Sequence, residues 1–486
     1  MADMAAASTI VRPAPWADAH GAAARDARLR LLIAGGGDDR IWLDPATRRN
    51  RYGVPAAPAP DELWFSSSTA CAISPRGWAA AGEALERLTE PGRHTIAAFF
   101  DTLRRRLLAL YGAPGAEAVL AASGTEAELV SLCLALSLAQ GPVANIVVAP
   151  AETGSGVPAA AGGLHFLGRA SLGGPVVKAT RLAGWEDAQV TLQTIEIRSP
   201  CGALRAQADV DLEAALKVER AVAGGAFALL HVLDASKTGR PGVSRAAAGQ
   251  ILARYPGRVL VVVDACQLRC AAADIRRDLE QGLAVMVTGS KFAGGPAFCG
   301  ALLLPADLAE RLAGAAPTNG ALAPYSAVLD WPAVLRRPFA ANLAHPANLG
   351  LGLRWSAALA EIEAYEAVPA AWRAAMLADF DRTVRAHVAV DPGLRLADDG
   401  AAAAAAGLVP ILHTDGADPR AIYEALTNGE GSRRPCHLGQ PVAVGADLAL
   451  RVCASMPMIT GAAEHGFAAM ETDLDEAFES WARLRG

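Results

Sequence analysis

Lysine is almost missing from this chain. Only Lys178, Lys217, Lys237 and Lys291 occur among 486 residues, and the other forty basic residues are arginine. Chemistry that needs a primary amine therefore has few places to happen. Charge is also scarce. Charged residues make up 19% and the net charge is −6, so the basic surface that a nucleic-acid partner needs is not there. No apolar run reaches membrane-spanning length without a break, which speaks against a membrane partner. No charged stretch precedes an apolar one near the start, so no secretory signal is expected and a cytoplasmic protein is. The eight cysteines have neither metal-ligand nor disulfide-framework spacing. They read as reduced thiols, and no metal site is expected.

What is abundant is apolar. Hydrophobic residues make up 52%, and the length suffices for two packed domains. Residues 1–60, Ala-rich with scattered proline, read as an N-terminal arm. Residues 61–335 alternate apolar runs with helical patterns, the mark of an α/β large domain with a mostly parallel sheet. Residues 336–486 read as a long bridging helix, from about Asn348 to Glu366, followed by a smaller α+β domain.

Residues 258–305 organise the rest. They read as a buried strand ending in Asp264, a helix, a strand ending at Thr288-Gly289-Ser290-Lys291, a glycine turn and a third apolar strand. Asp264 and Lys291 both fall at strand ends, where open α/β sheets bind ligands. A lysine there can form a Schiff base with an aldehyde. A carboxylate nearby can keep a pyridine nitrogen protonated. Among the lysines only Lys237, in Ser236-Lys237-Thr238-Gly239, competes with Lys291. Upstream, an apolar strand at 118–122 meets Ser123-Gly124-Thr125-Glu126-Ala127-Glu128, which opens a helix. Thr125 and Glu128 have capping-box spacing. The same helix N-terminus offers free N–H groups and a positive dipole end, enough to hold a phosphate without lysine.

The pair Asp264-Ala265-Cys266-Gln267 and Thr288-Gly289-Ser290-Lys291 resembles fold-type I pyridoxal phosphate (PLP) enzymes, in particular the class V aminotransferase and cysteine desulfurase group. The resemblance spans about Ser66 to Ser455. It implies a mixed, mostly parallel seven-stranded sheet in the large domain, PLP as cofactor and a homodimer. It implies Lys291 as the covalent anchor, Asp264 on the pyridine nitrogen, Gln267 near the ring hydroxyl, and Ser123, Gly124, Thr125, Thr288 and Ser290 around the cofactor. Glu152-Thr153 stands where desulfurases carry Glu-His, so Thr153 takes the place of the ring-stacking histidine. Cys436, in a polar turn-rich loop fifteen residues before Arg451, matches the spacing of a desulfurase persulfide cysteine. Arg451 matches an arginine that forks the substrate α-carboxylate, with Arg76, Arg433 and Arg434 as alternative anion partners.

The resulting expectation is a PLP-dependent enzyme acting on a small amino acid. Transamination leads, because Thr153 replaces the desulfurase histidine. A desulfurase-like C–S lyase or other elimination enzyme using Cys436 comes second, and a decarboxylase third. The sequence leaves the substrate open.

Overall fold

The computed structural model of the chain describes residues 22–89, 95–397 and 406–485. The described strands are β1 (Leu63–Phe65), β2 (Glu117–Ala121), β3 (Val143–Val148), β4 (Val190–Ile195), β5 (Phe227–Leu233), β6 (Val259–Ala265), β7 (Ala284–Thr288), β8 (Gly300–Leu304), β9 (Leu394–Leu396), β10 (Leu408–His413), β11 (Cys436–Val444) and β12 (Asp447–Cys453). Seven of them form one sheet in the order β2-β8-β7-β6-β5-β3-β4. Only β8 runs against the others; it pairs antiparallel with both β2 and β7. This is the mixed, mostly parallel sheet that the resemblance implies.

The apolar runs explain why these strands sit at the centre. Leu229, Leu230, Val261, Val262, Val285 and Val287 are fully buried, so both sheet faces are covered by helices. Each such side chain contributes about 1.5–3 kcal/mol by leaving water, so a charge at Val262 would break the sheet.

The other five strands form a second sheet, β1-β11-β12-β10-β9. Its β1 pairs parallel with β11, with Leu63 opposite Cys436 and Phe65 opposite Leu438. The span 61–335 therefore does not close on itself, because its first strand belongs to the small sheet. The bridging helix, Leu349–Ala367, starts at Asn348, whose side chain accepts from the Leu351 amide at 3.1 Å.

Residues 22–60 are packed rather than arm-like; residues 1–21 lie outside the description. The helix Ala22–Ile33 buries Leu29 and Ile33 in a cluster with Leu353 and Ala357 of the bridging helix. Arg354, fully buried, donates to the carbonyls of Ile33 at 3.0 Å, Gly36 at 2.9 Å and Phe298 at 2.7 Å. A buried guanidinium with that many carbonyl partners ties the segment to the large sheet. The alanine-rich patch at 400–407 lies mostly outside the described residues.

Candidate functional site

A cavity of about 440 Å³ opens at the carboxyl ends of β3, β5, β6 and β7. This is where parallel strands leave their last side chains and amides unpaired by the sheet. Ser123, Gly124, Thr125, Thr153, Asp264, Gln267, Thr288, Ser290 and Lys291 all line it.

β6 delivers the carboxylate. Asp264 Oδ1 accepts from the Cys266 amide at 3.0 Å, and no described basic group forms an ion pair with Asp264. β7 ends at Thr288, whose hydroxyl donates to the Cys266 carbonyl at 2.6 Å and so ties the two strand ends together. The next residue, Gly289, passes so close to the bridging helix that an added Cβ would lie 2.5 Å from Ala358 Cβ. That close approach carries the chain round to Ser290 and Lys291. The Lys291 amine has no hydrogen-bond or ion-pair partner among the described residues.

The helix Gly124–Leu138 points its N-terminus into the cavity. Its cap is Ser123, whose Oγ accepts from the Glu126 amide at 3.3 Å. The capping-box reading of Thr125 and Glu128 does not hold. Glu128 instead receives Asn145 Nδ2 at 2.8 Å and faces His231 Nε2 at 3.1 Å. Burial alone would pull the His231 imidazole down, but the Glu128 carboxylate, helped by Asp264, outweighs it and raises it above its ordinary value. Gly124 packs against Cys266, where an added Cβ would sit 2.8 Å from the sulfur. Only glycine lets the helix end come that close to β6.

Glu126, in the first turn, is buried, and one of its oxygens has no partner. Burial and the nearby Asp38 charge push its carboxyl up to about 8. A neutral Glu126 leaves the positive end of the helix uncompensated, which favours an anion there.

Gln267 is buried and donates Nε2 to the Ser68 carbonyl at 3.3 Å. That bond leaves its Oε1 as a buried acceptor with no hydrogen-bond partner, on a residue that lines the cavity. A free amine, a free carboxylate, an open helix end and an orphaned acceptor around one cavity fit a ring carrying an aldehyde, a nitrogen, a phosphate and a hydroxyl. Among the described residues no His, Cys, Asp and Glu group could hold a metal ion.

The small sheet contributes differently. Arg451, on β12, is fully buried and does not line the cavity. Its Nε donates to the Gln440 carbonyl at 3.1 Å, Nη2 to the Thr69 hydroxyl at 3.2 Å and Nη1 to the Lys237 carbonyl at 3.4 Å. Thr69, Lys237 and Gln440 do line the cavity, so the guanidinium stands one layer behind the wall. Burial lowers it to about 10.

Cys436 is not on a loop. It is the first residue of β11, fully buried in the main core cluster and away from the cavity. Burial, with Glu476 nearby, pushes its thiol up to about 12. The carrier cysteine expected at this position is thus a protonated core side chain. The alternative arginines are engaged elsewhere, Arg76 with Glu361 and Glu464, and Arg434 with Asp473 and Glu476. Arg433 does not line the cavity either.

Sequence reasoning missed Arg40, Arg51, Tyr52 and Lys178, which also line the cavity. The first three lie in the segment read as an arm. The scarcity of lysine was the available signal for Lys178, since three of the four lysines line this one cavity. Glu152, behind Thr153, accepts from Arg198 Nε at 2.6 Å and Ser236 Oγ at 2.7 Å. Asp234 pairs with Arg245 at 2.9 Å, and neither Asp234 nor Ser236 lines the cavity.

No family model and no curated protein sequence matches the chain. Solved structures do. One is a C-DES mutant with glycine covalently linked to its PLP cofactor (15% identity, TM-score 0.56, 88% of this chain and 97% of that one). Another is a phosphoserine aminotransferase from Cytophaga hutchinsonii (14% identity, TM-score 0.54, 86% and 99%). A third is the cysteine desulfurase CsdA from Escherichia coli (14% identity, TM-score 0.53, 86% and 95%). At these identities the likeness is one of fold: the chain has the fold of the fold-type I PLP-dependent enzymes.

Proposed function

We propose that the protein is a PLP-dependent enzyme that acts on a small amino acid, with transamination as its reaction. The observation that carries the cofactor reading is the convergence of Lys291, Asp264 and the Gly124–Leu138 N-terminus on one cavity beside the orphaned Gln267 Oε1. When bound, PLP supplies an electron-poor ring that stabilises negative charge on the carbon bearing the substrate nitrogen.

The chain's residues do the rest. The Lys291 amine would hold the cofactor aldehyde carbon. When not holding the cofactor, the same amine would serve as the base toward the substrate α-carbon proton. The Asp264 carboxylate would hold the ring nitrogen and favour its protonated form. The helix N-terminus, with Ser123 and Thr125, binds the phosphate through amides and hydroxyls. Gln267, a buried residue of the cavity wall with an unused acceptor, would lie near the ring hydroxyl.

Transamination is favoured over thiol-dependent desulfuration because no activated thiol stands at the cavity. Cys436 is in the core, and the Cys266 thiol, which does line the cavity, is pushed well above its ordinary value by burial and by Asp264. Absorbance of the PLP-loaded protein, recorded while amino acids and 2-oxo acids are added in turn, tests this. Conversion to the pyridoxamine form with a 2-oxo acid product supports transamination. Release of sulfide, pyruvate or carbon dioxide replaces it with a lyase or decarboxylase. We also read the protein as cytoplasmic and homodimeric. A monomeric mass in light scattering with activity retained would overturn the dimer.

A further inference from the structure

Resting on the PLP-enzyme reading, we propose that the substrate is an amino acid with a second anionic group, a side-chain carboxylate or phosphate, that seats against Lys237 with Lys178 and Arg51 at the rim. The argument is a balance of charge at the cavity wall. Arg40 is held by Asp38 at 2.7 Å, Glu152 by Arg198 at 2.6 Å, and Glu128 faces His231 at 3.1 Å. Lys291 and Asp264 are assigned to the cofactor, and the phosphate has the helix N-terminus. Three cations then remain on the wall, Arg51, Lys178 and Lys237, and none forms an ion pair with a described residue.

Lys237 is the most telling of the three. It is half-buried, so its ammonium has lost part of its water and has gained no partner. Burial, with the charges of Arg451 and Lys291, pulls it down to about 7, a cost that an arriving anion removes. Its backbone is fixed at both ends: the amide donates to the Glu152 carbonyl at 2.9 Å, and the carbonyl accepts from Arg451 at 3.4 Å. The amine is therefore presented to the cavity from a held loop, while Arg51 and Lys178 are exposed at the entrance. A substrate with an apolar side chain would leave this cation unpaired. One with a second anion would complete it.

The test titrates the PLP-loaded protein with glutarate and with butyrate, two acids that lack an amine, by calorimetry. Glutarate should bind about tenfold more tightly or better, the worth of one charge-assisted bond. Lys237→Gln should abolish the difference and Lys237→Arg should keep it; melting curves show that each variant is folded. In turnover, kcat/KM should favour glutamate, aspartate or phosphoserine over alanine and leucine, and which dianion leads tells carboxylate from phosphate. Equal affinities for glutarate and butyrate overturn the proposal. So does a Lys237→Gln variant that keeps the difference, or one that loses PLP instead, since Lys237 would then serve the cofactor. If borohydride fixes PLP on no lysine, the enzyme reading falls, and the same titration of the unloaded protein still decides on the anion site; if it fixes PLP on Lys237, the enzyme reading stands and the anion-site proposal falls.

Discussion

The two sheets meet the cavity in different ways. The large sheet presents Asp264 from the last-but-one position of β6, still paired with Leu233 and Met286, and Lys291 from the turn after β7, and neither side chain has an ion-pair partner among the described residues. The small sheet offers Arg451 from within β12, flanked by Pro410 and Gly439 on the neighbouring strands, with its donors engaged by carbonyls and a hydroxyl. A group at a strand end is free to do chemistry. A group within a strand is first a part of the wall. The difference implies that changes to the cavity-end residues Asp264 and Lys291 fall on the reaction and leave the fold alone, whereas changes to Arg451 and Cys436 of the small sheet fall on both or on the fold.

Lys291→Ala should give the largest effect. Turnover should fall by about 10²–10⁴-fold or more, because anchor and base disappear together. The melting temperature should hardly move, since the Lys291 amine bonds to no described residue. Borohydride labelling followed by peptide mapping checks the anchor, and a label on Lys237 would reassign it.

Arg451→Lys comes next and should split its effect. An ammonium keeps the charge but cannot reach the Gln440 carbonyl, Thr69 and the Lys237 carbonyl at once. The loss of charged hydrogen bonds should cost about 1.5–3 kcal/mol of stability. The wall that carries Lys237 and Gln440 loosens too, so KM should rise by roughly tenfold. If KM rises while the melting temperature is unchanged, Arg451 reaches the substrate directly and the comparison above breaks.

Glu126→Gln sharpens the large-sheet side through pH. Burial first, and the Asp38 charge second, raise the folded carboxyl from 4.5 to about 8. Between those values the folded protein holds a proton that the unfolded chain releases. The contribution of the protonated carboxyl is therefore complete below about 4.5 and fades as pH rises through 8. Glutamine does not titrate and still offers an acceptor oxygen to Ser171, which donates to Glu126 in the native protein. The variant should match the parent near pH 5 and melt higher than it near pH 8. An equal gap at both values would mean that the carboxyl is ionised throughout.

The same contrast explains what was legible in the sequence. The Val- and Leu-rich runs of β5, β6 and β7, closed by Asp264 and by Thr288-Gly289-Ser290-Lys291, carry their meaning locally. Short apolar runs bounded by turn residues suit strands buried on both faces, and the polar residues that end them mark where the strands stop. The small-residue turn at Ser123 is local in the same way. β11 is not. Cys436-His437-Leu438-Gly439-Gln440-Pro441-Val442 reads as a loop because of its glycine and proline. It is a strand because β1 and β12 pair with it from 373 residues before and just after. Pro441 fits because the pairing skips between Gly439 and Val442, so its missing N–H costs no ladder bond. His437 stacks on Trp64 of β1 at 3.8 Å. The cavity residues Arg40, Arg51 and Tyr52 were hidden for a related reason. Their segment has no periodicity of its own; Arg354 ties only its start, at Ile33 and Gly36, while the Arg51 amide donates to the Arg40 carbonyl at 3.2 Å and the Tyr52 amide to Asn50 Oδ1 at 2.9 Å.

The smallest effect on turnover should come from Cys436→Ala. The thiol is fully buried, is held protonated by its surroundings, and lies opposite Leu63 across the parallel pairing of β1 and β11. A thiol that carries sulfur must reach the substrate as a thiolate, and neither condition is met there. Alanine keeps the strand and removes one sulfur from the core, which should cost about 1 kcal/mol through the small cavity left behind. kcat and KM should match the parent within about twofold, far below the tenfold that one lost charged contact produces. The check is steady-state kinetics beside a denaturant melt. A melt shifted by that amount with unchanged kinetics keeps Cys436 in the fold. An unshifted melt with turnover abolished would put the cysteine in the chemistry, bring back the desulfurase reading, and require β11 to open during the reaction.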